Sequence, residues 1–197
     1  AKAIPVYDRV FKLSKVSDAN AYFEFGDCLS RMKLWSLAKD QFEKSVELNA
    51  KNRLAKEYLE ILRHILEGQF KEDAFENYLE AKDQLELIGT ALDKRGAYKA
   101  ILKGLNQAVT LEPSFALAYR ELAHVHFTLG NDAEALKAYT KVMAADKAQA
   151  FDYTNAAYLY FRQDDLAKAR EYYQRSLQLD SQQTNVQSYL KTVQKIM

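Results

Sequence analysis

Between residues 116 and 130 the positions Tyr119, Leu122 and Ala123, with His126 closing the stripe, recur three and four residues apart, the spacing that keeps side chains on one face of a helix. Gly130 then supplies a residue that can turn left-handed without a Cβ clash. Asn131 or Asp132 is placed to cap a second helix, whose Ala135, Tyr139 and Val142 form an opposing stripe. The pattern predicts two helices packed back to back, with Ala123 and Ala135 where the backbones meet and Tyr139 filling the space beside them. This phrase returns with a period of 34 residues over 82–115, 116–149 and 150–183, and 19–52 fits the same frame.

From residue 19 the matching side chains are Tyr22, Phe25, Gly26, Leu29, Ala38 and Phe42, with Lys33 at the turn in place of glycine. From residue 82 they are Gly89, Gly96, Tyr98, Ala108 and Pro113, with Leu85 in an aromatic slot and Ile101 where Ala is expected. From residue 150 they are Tyr153, Ala157, Tyr160, Ala169 and Tyr173, with Asp164 replacing the turn glycine and Ser181 the terminal proline. Four units in one frame resemble the tetratricopeptide repeat. The resemblance implies an all-α, right-handed superhelical solenoid of helix-turn-helix units that acts as a protein-interaction scaffold and has no catalytic centre of its own.

The register slips between residues 53 and 81. Leu54, Tyr58, Leu59, Leu62 and Ile65 make a first helix over 53–66, and Gly68 a turn, yet Gly96 follows only 28 residues later. Ala74, Tyr78, Ala81, Leu85, Ile88 and Leu92 then form one apolar stripe without proline, which predicts a single helix over 71–94, about 36 Å long at about 1.5 Å per residue. The alternative is two helices kinked near 82–84. On the first reading the chain divides into an N-terminal lobe (1–70, with a partial unit at 1–18), a linking helix (71–94) and a C-terminal lobe (95–197). Residues 184–197 carry Val186, Leu190, Val193 and Ile196 against Gln187, Lys191, Gln194 and Lys195, as expected of a capping helix. The chain begins with Ala, and 4–13 reads as the second helix of a preceding unit, so a piece of something longer is expected.

Charge narrows the function classes. The 28 basic and 27 acidic side chains divide as 13 against 14 up to Ala81 and 15 against 13 afterwards, so neither half is a polycation suited to nucleic acid. No apolar run is long enough to insert in a membrane. Cys28 lies within a helix with no basic neighbour to activate it. His124 and His126 diverge by about 200° around their helix and cannot share a metal, and His126 holds a core slot. Gly26, Gly89 and Gly104 read as packing residues and Gly68, Gly96 and Gly130 as turns, leaving none for a phosphate loop. Asp164 and Asp165 read as helix caps. No cofactor, metal or catalytic residue is expected.

The resemblance places a binding groove on the first helices. In the last two full units its geometry selects Leu117, Arg120, His124, Phe127 and Thr128, then Phe151, Thr154, Tyr158, Phe161 and Arg162. The equivalent positions from residue 19 (Asn20, Phe23, Asp27, Ser30, Arg31) and from residue 82 (Asp83, Glu86, Thr90, Asp93, Lys94) are mostly polar. A protein or peptide partner is therefore expected in the C-terminal groove, anchored by the aromatics and oriented by Arg120 and Arg162. Two alternatives stand beside it. The rings can pack against the C-terminal helix or a flanking part of the chain, and a degenerate chaperone-carboxylate clamp would use Arg120 and Asn155, with His124 in place of an Asn and Asn185 and Tyr189 in the slots of the final Lys and Arg.

Overall fold

The computed structural model describes residues 18–197, and the described residues form ten α-helices and one 3-10 helix with no strand. The partial unit expected at 1–18, with its helix over 4–13, lies outside them except for Asp18. The chain divides into two compact units, Ala1–Leu79 and Glu80–Met197.

In the first unit, α1 (Ala19–Arg31) and α2 (Trp35–Leu48) form one hairpin, followed by α3 (Arg53–Leu66) and the start of α4 (Glu72–Glu86). Asp18 and Asn52 cap α1 and α3 by accepting the N–H groups of Asn20 (2.9 Å) and Ala55 (3.1 Å). The core is an aromatic relay. Phe42 lies 5.5 Å from Tyr58, edge to face, and Tyr58 lies 5.2 Å from Phe75 of α4 in the same geometry, the arrangement that ring quadrupoles favour. Gly26 is small because a Cβ there would press into the Phe42 ring. The indole of Trp35 is tied to α4 by its N–H, which donates to Glu72 Oε2 at 2.7 Å.

The second unit holds the end of α4, the 3-10 turn Ile88–Thr90, α5 (Lys94–Leu111), α6 (Ala116–Thr128), α7 (Asp132–Ala144), α8 (Ala150–Arg162), α9 (Leu166–Leu179) and α10 (Thr184–Ile196). Hairpins α6–α7 and α8–α9 are built alike: Leu122, Ala123, Ala135, Tyr139 and Val142 are buried in one, and Ala156, Ala157, Ala169 and Tyr173 in the other. The last helix buries Val186 and Val193 against the core that Ala157, Ala169 and Tyr173 form, and leaves Gln187, Lys191, Gln194 and Lys195 exposed.

Turn geometry is shared where turn residues are not. Lys33, Gly130 and Asp164, each the fifteenth residue of its phrase, have φ of 58°, 74° and 60°, so the left-handed conformation is kept even where glycine is absent. A second recurrent tie has no counterpart in the sequence pattern: Ser45 Oγ donates to the Ala19 carbonyl at 2.7 Å, and Ser176 Oγ to the Ala150 carbonyl at 2.8 Å. Both serines are fully buried at the twenty-seventh position, where each clips the second helix to the start of the first.

The continuous helix over 71–94 is overturned. Helix α4 ends at Glu86, and a 3-10 turn and a short extended stretch intervene before Lys94. Gly89 lowers helix propensity by about 1 kcal/mol relative to Ala, and Thr90 Oγ donates to the Leu87 carbonyl at 2.8 Å. Asp93 begins a new helix by accepting the Gly96 N–H at 2.9 Å. The apolar stripe misleads because its last member, Leu92, is wholly exposed. Two glycine roles change with it. Gly96 sits in the first turn of α5, where a Cβ would collide with the capping Asp93 carboxylate, and Gly89 has nothing close enough to pack on.

The cap expected at Asn131 or Asp132 is also corrected. Asn131 occupies the N-cap position without a side-chain cap bond; its amide lies 3.3 Å from His126 Nδ1, and Asp132 pairs with Arg162 instead. Of the acidic pair at α9, Asp165 does cap, accepting the Lys168 N–H at 3.1 Å, and that bond is the first cause holding its carboxyl below the usual range. Asp164 is the left-handed turn residue.

Candidate functional site

The residues expected to line a groove stand on α6 and α8, the first helices of two successive hairpins, and they separate into three groups. Phe151 and Tyr158 are exposed, at 44% and 43%, and Tyr158 lies 5.9 Å from the half-buried ring of Phe127. His124 is exposed on the same helix as Phe127. Arg162 is exposed at the end of α8, its guanidinium 3.2 Å from Asp132, so its charge is partly balanced within the chain.

Leu117 and Arg120 form the second group, and here the expectation fails. Leu117 is buried. Arg120 is buried as well, with Nε 3.2 Å from Asp152 Oδ2 and Nη2 donating to the Lys147 carbonyl at 2.7 Å. Asp152 Oδ2 also accepts the Gln149 N–H at 2.8 Å as part of a capping box. The guanidinium therefore ties α6 to the start of α8 and stands 5.8 Å from the Phe151 ring centroid, within reach of a cation–π contact. A cation held by a carboxylate inside the fold does not orient a ligand at the rim. The clamp reading loses its two matched residues for the same reason, since Asn155 Nδ2 donates to the Tyr139 hydroxyl at 2.9 Å.

Phe161 stands between these groups. It packs on the core shared by Ala157, Tyr173 and Val193, and its outer edge helps line a pocket of about 180 Å³ with Tyr158, Tyr173, Tyr189, Thr192 and Val193. The last three come from α10. The sequence pattern places Tyr189 only as a clamp substitute and gives Thr192 no role, although Thr192 falls one 34-residue period after Tyr158. Burial, followed by the fields of Tyr189 and Tyr158, pushes the Tyr173 phenol up to about 12, so this wall stays neutral in ordinary buffers. The pocket is apolar and of a size to take one side chain.

Two titratable groups on α6 are shifted. Burial chiefly raises the Glu121 carboxyl, against the lowering fields of His124, Lys82 and Arg120. Burial likewise lowers His126, opposed by Glu134. Among the described residues no group of three or more His, Cys, Asp or Glu side chains could hold a metal ion, and no helix is long and apolar enough to cross a membrane.

The family pattern described as tetratricopeptide repeat matches residues 116–149 and, separately, residues 150–183. Among solved structures the chain is similar to a thermophilic TPR protein of Thermus thermophilus, at 16% identity and a TM-score of 0.51 over 89% of this chain and 98% of that one. It is similar to YrrB, a TPR protein with an unusual peptide-binding site, at 18% identity and a TM-score of 0.51 over 94% of this chain and 97% of that one. It is also similar to MamA, at 18% identity and a TM-score of 0.50 over 93% of this chain and 90% of that one. At such identities the shared property is the fold. No curated protein matches the sequence. The two matched segments coincide with the phrases at 116–149 and 150–183, each folds as a helical hairpin that turns on a left-handed residue, and residues 116–183 are two tetratricopeptide repeats.

Proposed function

We propose that the C-terminal repeats hold a peptide or helix of a partner protein on the aromatic strip of α6, α8 and α10. Protein interaction is the general role of the tetratricopeptide fold, whose repeats are generally non-enzymatic scaffolds. The observation that carries the finer reading is the exposure of three large rings, Phe151, Tyr158 and Tyr189, at 44%, 43% and 47%, two of them at the mouth of an apolar pocket. Rings left in water beside a preformed cavity can anchor a partner by filling it and excluding solvent, and such an anchor contributes about 2 kcal/mol or more. The contact set therefore changes from the one the sequence suggests: Phe127, Phe151, Tyr158 and Phe161 stay, His124 and Arg162 form a polar edge, and Tyr189 and Thr192 replace Leu117 and Arg120.

Affinity capture with the wild-type chain and with Tyr158→Ala, read by mass spectrometry and followed by calorimetry on the captured protein, tests this reading. The expected result is a partner whose affinity falls by about 2 kcal/mol, roughly thirtyfold, in the variant. Partners held equally by both chains would move the binding surface elsewhere, and a strip that captures nothing would leave the rings as a lining for a neighbouring part of the protein.

A further inference from the structure

A second surface, which shares no lining residue with the pocket of the aromatic strip, lies where the first half of α5 meets the turn between α6 and α7. Ile101, Leu105 and Ala108 bury the later part of α5, whereas Tyr98 and Leu102 are only partly covered. With Leu129 of the turn, which is 40% exposed, they form the apolar floor of an open cleft of about 1130 Å³.

Lys94, Arg95 and Lys99 line the same cleft. Arg95, Lys99 and the exposed Lys103 follow one another at four-residue spacing and so share a face of α5. Among the described residues none of these four cations forms an ion pair. Asp93 is the one acidic side chain in the lining, and its carboxylate is engaged in capping α5 through the Gly96 N–H. Leu92, one residue earlier, is fully exposed. Cations crowded on one face without carboxylates repel one another, a cost that a partner of opposite charge removes.

We propose that this cleft docks an acidic segment of a partner protein, with apolar side chains of that segment on Tyr98, Leu102 and Leu129 and its carboxylates against Lys94, Arg95 and Lys99. The apolar floor selects a peptide over nucleic acid, because a phosphodiester backbone gains nothing from two leucines. The chain's net charge of only +1 supplies no long-range field to draw a polyanion in. The three cations would pair with the segment's carboxylates at contact range and set its register, and the floor would hold the complex.

The test is fluorescence anisotropy at low salt with a short labelled peptide of glutamates carrying leucines at helical spacing. A glutamate-only peptide and a labelled DNA duplex serve as the other probes. The leucine-containing peptide should bind, about tenfold more weakly to the double variant Arg95→Glu, Lys99→Glu and several-fold more weakly to Leu129→Ala, a turn substitution that far-UV circular dichroism should find folded. Tyr158→Ala should bind it as the wild type does. Absence of binding, equal binding of the glutamate-only peptide or of the duplex, or indifference to the charge reversal each overturns the proposal. Loss of binding in Tyr158→Ala would assign the peptide to the aromatic strip instead.

Discussion

Arg120 and Asp152 make a buried ion pair between consecutive repeats, Nε 3.2 Å from Oδ2, with side chains 9% and 0% exposed. Removing one partner leaves the other charge buried and uncompensated, which costs about 3–5 kcal/mol. Asp152→Ala also deletes the capping box of α8, worth about 1 kcal/mol. Chemical denaturation should place Asp152→Ala at least about 3 kcal/mol below wild type, and Arg120→Leu with Asp152→Ala should cost less than the two single changes summed. A loss under about 1 kcal/mol for Asp152→Ala would mean that the pair is solvated and that Arg120 is available at the surface after all.

The left-handed turns give a pair of opposite expectations. Asp164 has φ of 60°, which strains an L-residue by up to about 1–2 kcal/mol, less for Asp than for most, while glycine adds unfolded-state freedom of about 0.4–1 kcal/mol. The net for Asp164→Gly is a gain of about 0.5 kcal/mol. Gly130, at φ 74° with nothing within 4 Å of an added Cβ, should lose about 1 kcal/mol on replacement by Ala. Thermal melts of both variants decide the matter, and equal shifts in one direction would contradict the shared turn geometry.

Glu121 sets a pH dependence of definite sign. Its folded pKa is raised above the ordinary 4.5, chiefly by burial, so the folded chain holds this proton more tightly than the unfolded one. Stability from this group is therefore greatest below 4.5 and falls as pH rises through the folded pKa. Glu121→Gln should remove that fall and be no less stable than wild type at pH 7. Denaturation at several pH values between 4 and 8 checks it; a variant that loses stability at neutral pH would show that the carboxylate is favourably paired.

Phe161 and Tyr158 should separate core from surface. Phe161 packs on the cluster of Ala157, Tyr173 and Val193, so Phe161→Ala should lower stability by about 2–3 kcal/mol, less than a fully buried Phe because its edge is open. Replacing Tyr158, 43% exposed, with Ala should cost under about 1 kcal/mol. Urea midpoints of the two variants give the comparison, and equal losses would place Tyr158 in the core and remove it from the strip.

What the sequence determined by itself was local. For the phrases at 19–52, 116–149 and 150–183 the paired helices and the turn positions follow from spacings of three and four and from the geometry a tight turn demands, and Lys33 and Asp164 obey that geometry without being glycine; the phrase at 82–115 keeps the period but not the pair, and Gly96 falls inside a helix. Gly26 was legible as a packing residue, but the Phe42 ring it meets was not, and Gly89, read the same way, has nothing within 4 Å of an added Cβ. The end of α4 was not, because an apolar stripe reports only that a face is greasy; whether Leu92 is covered depends on what folds beside it, and among the described residues it stands fully exposed. Arg120 shows the same limit in the site. A cation on a first helix reads alike whether it meets water or a carboxylate 32 residues away, and only the packing of α6 against α8 chose the carboxylate. The pocket, too, exists only because α10 brings Tyr189, Thr192 and Val193 up to Tyr158 and Phe161; the period that sets Thr192 34 residues after Tyr158 aligns the two helices, but only their packing leaves a cavity between them.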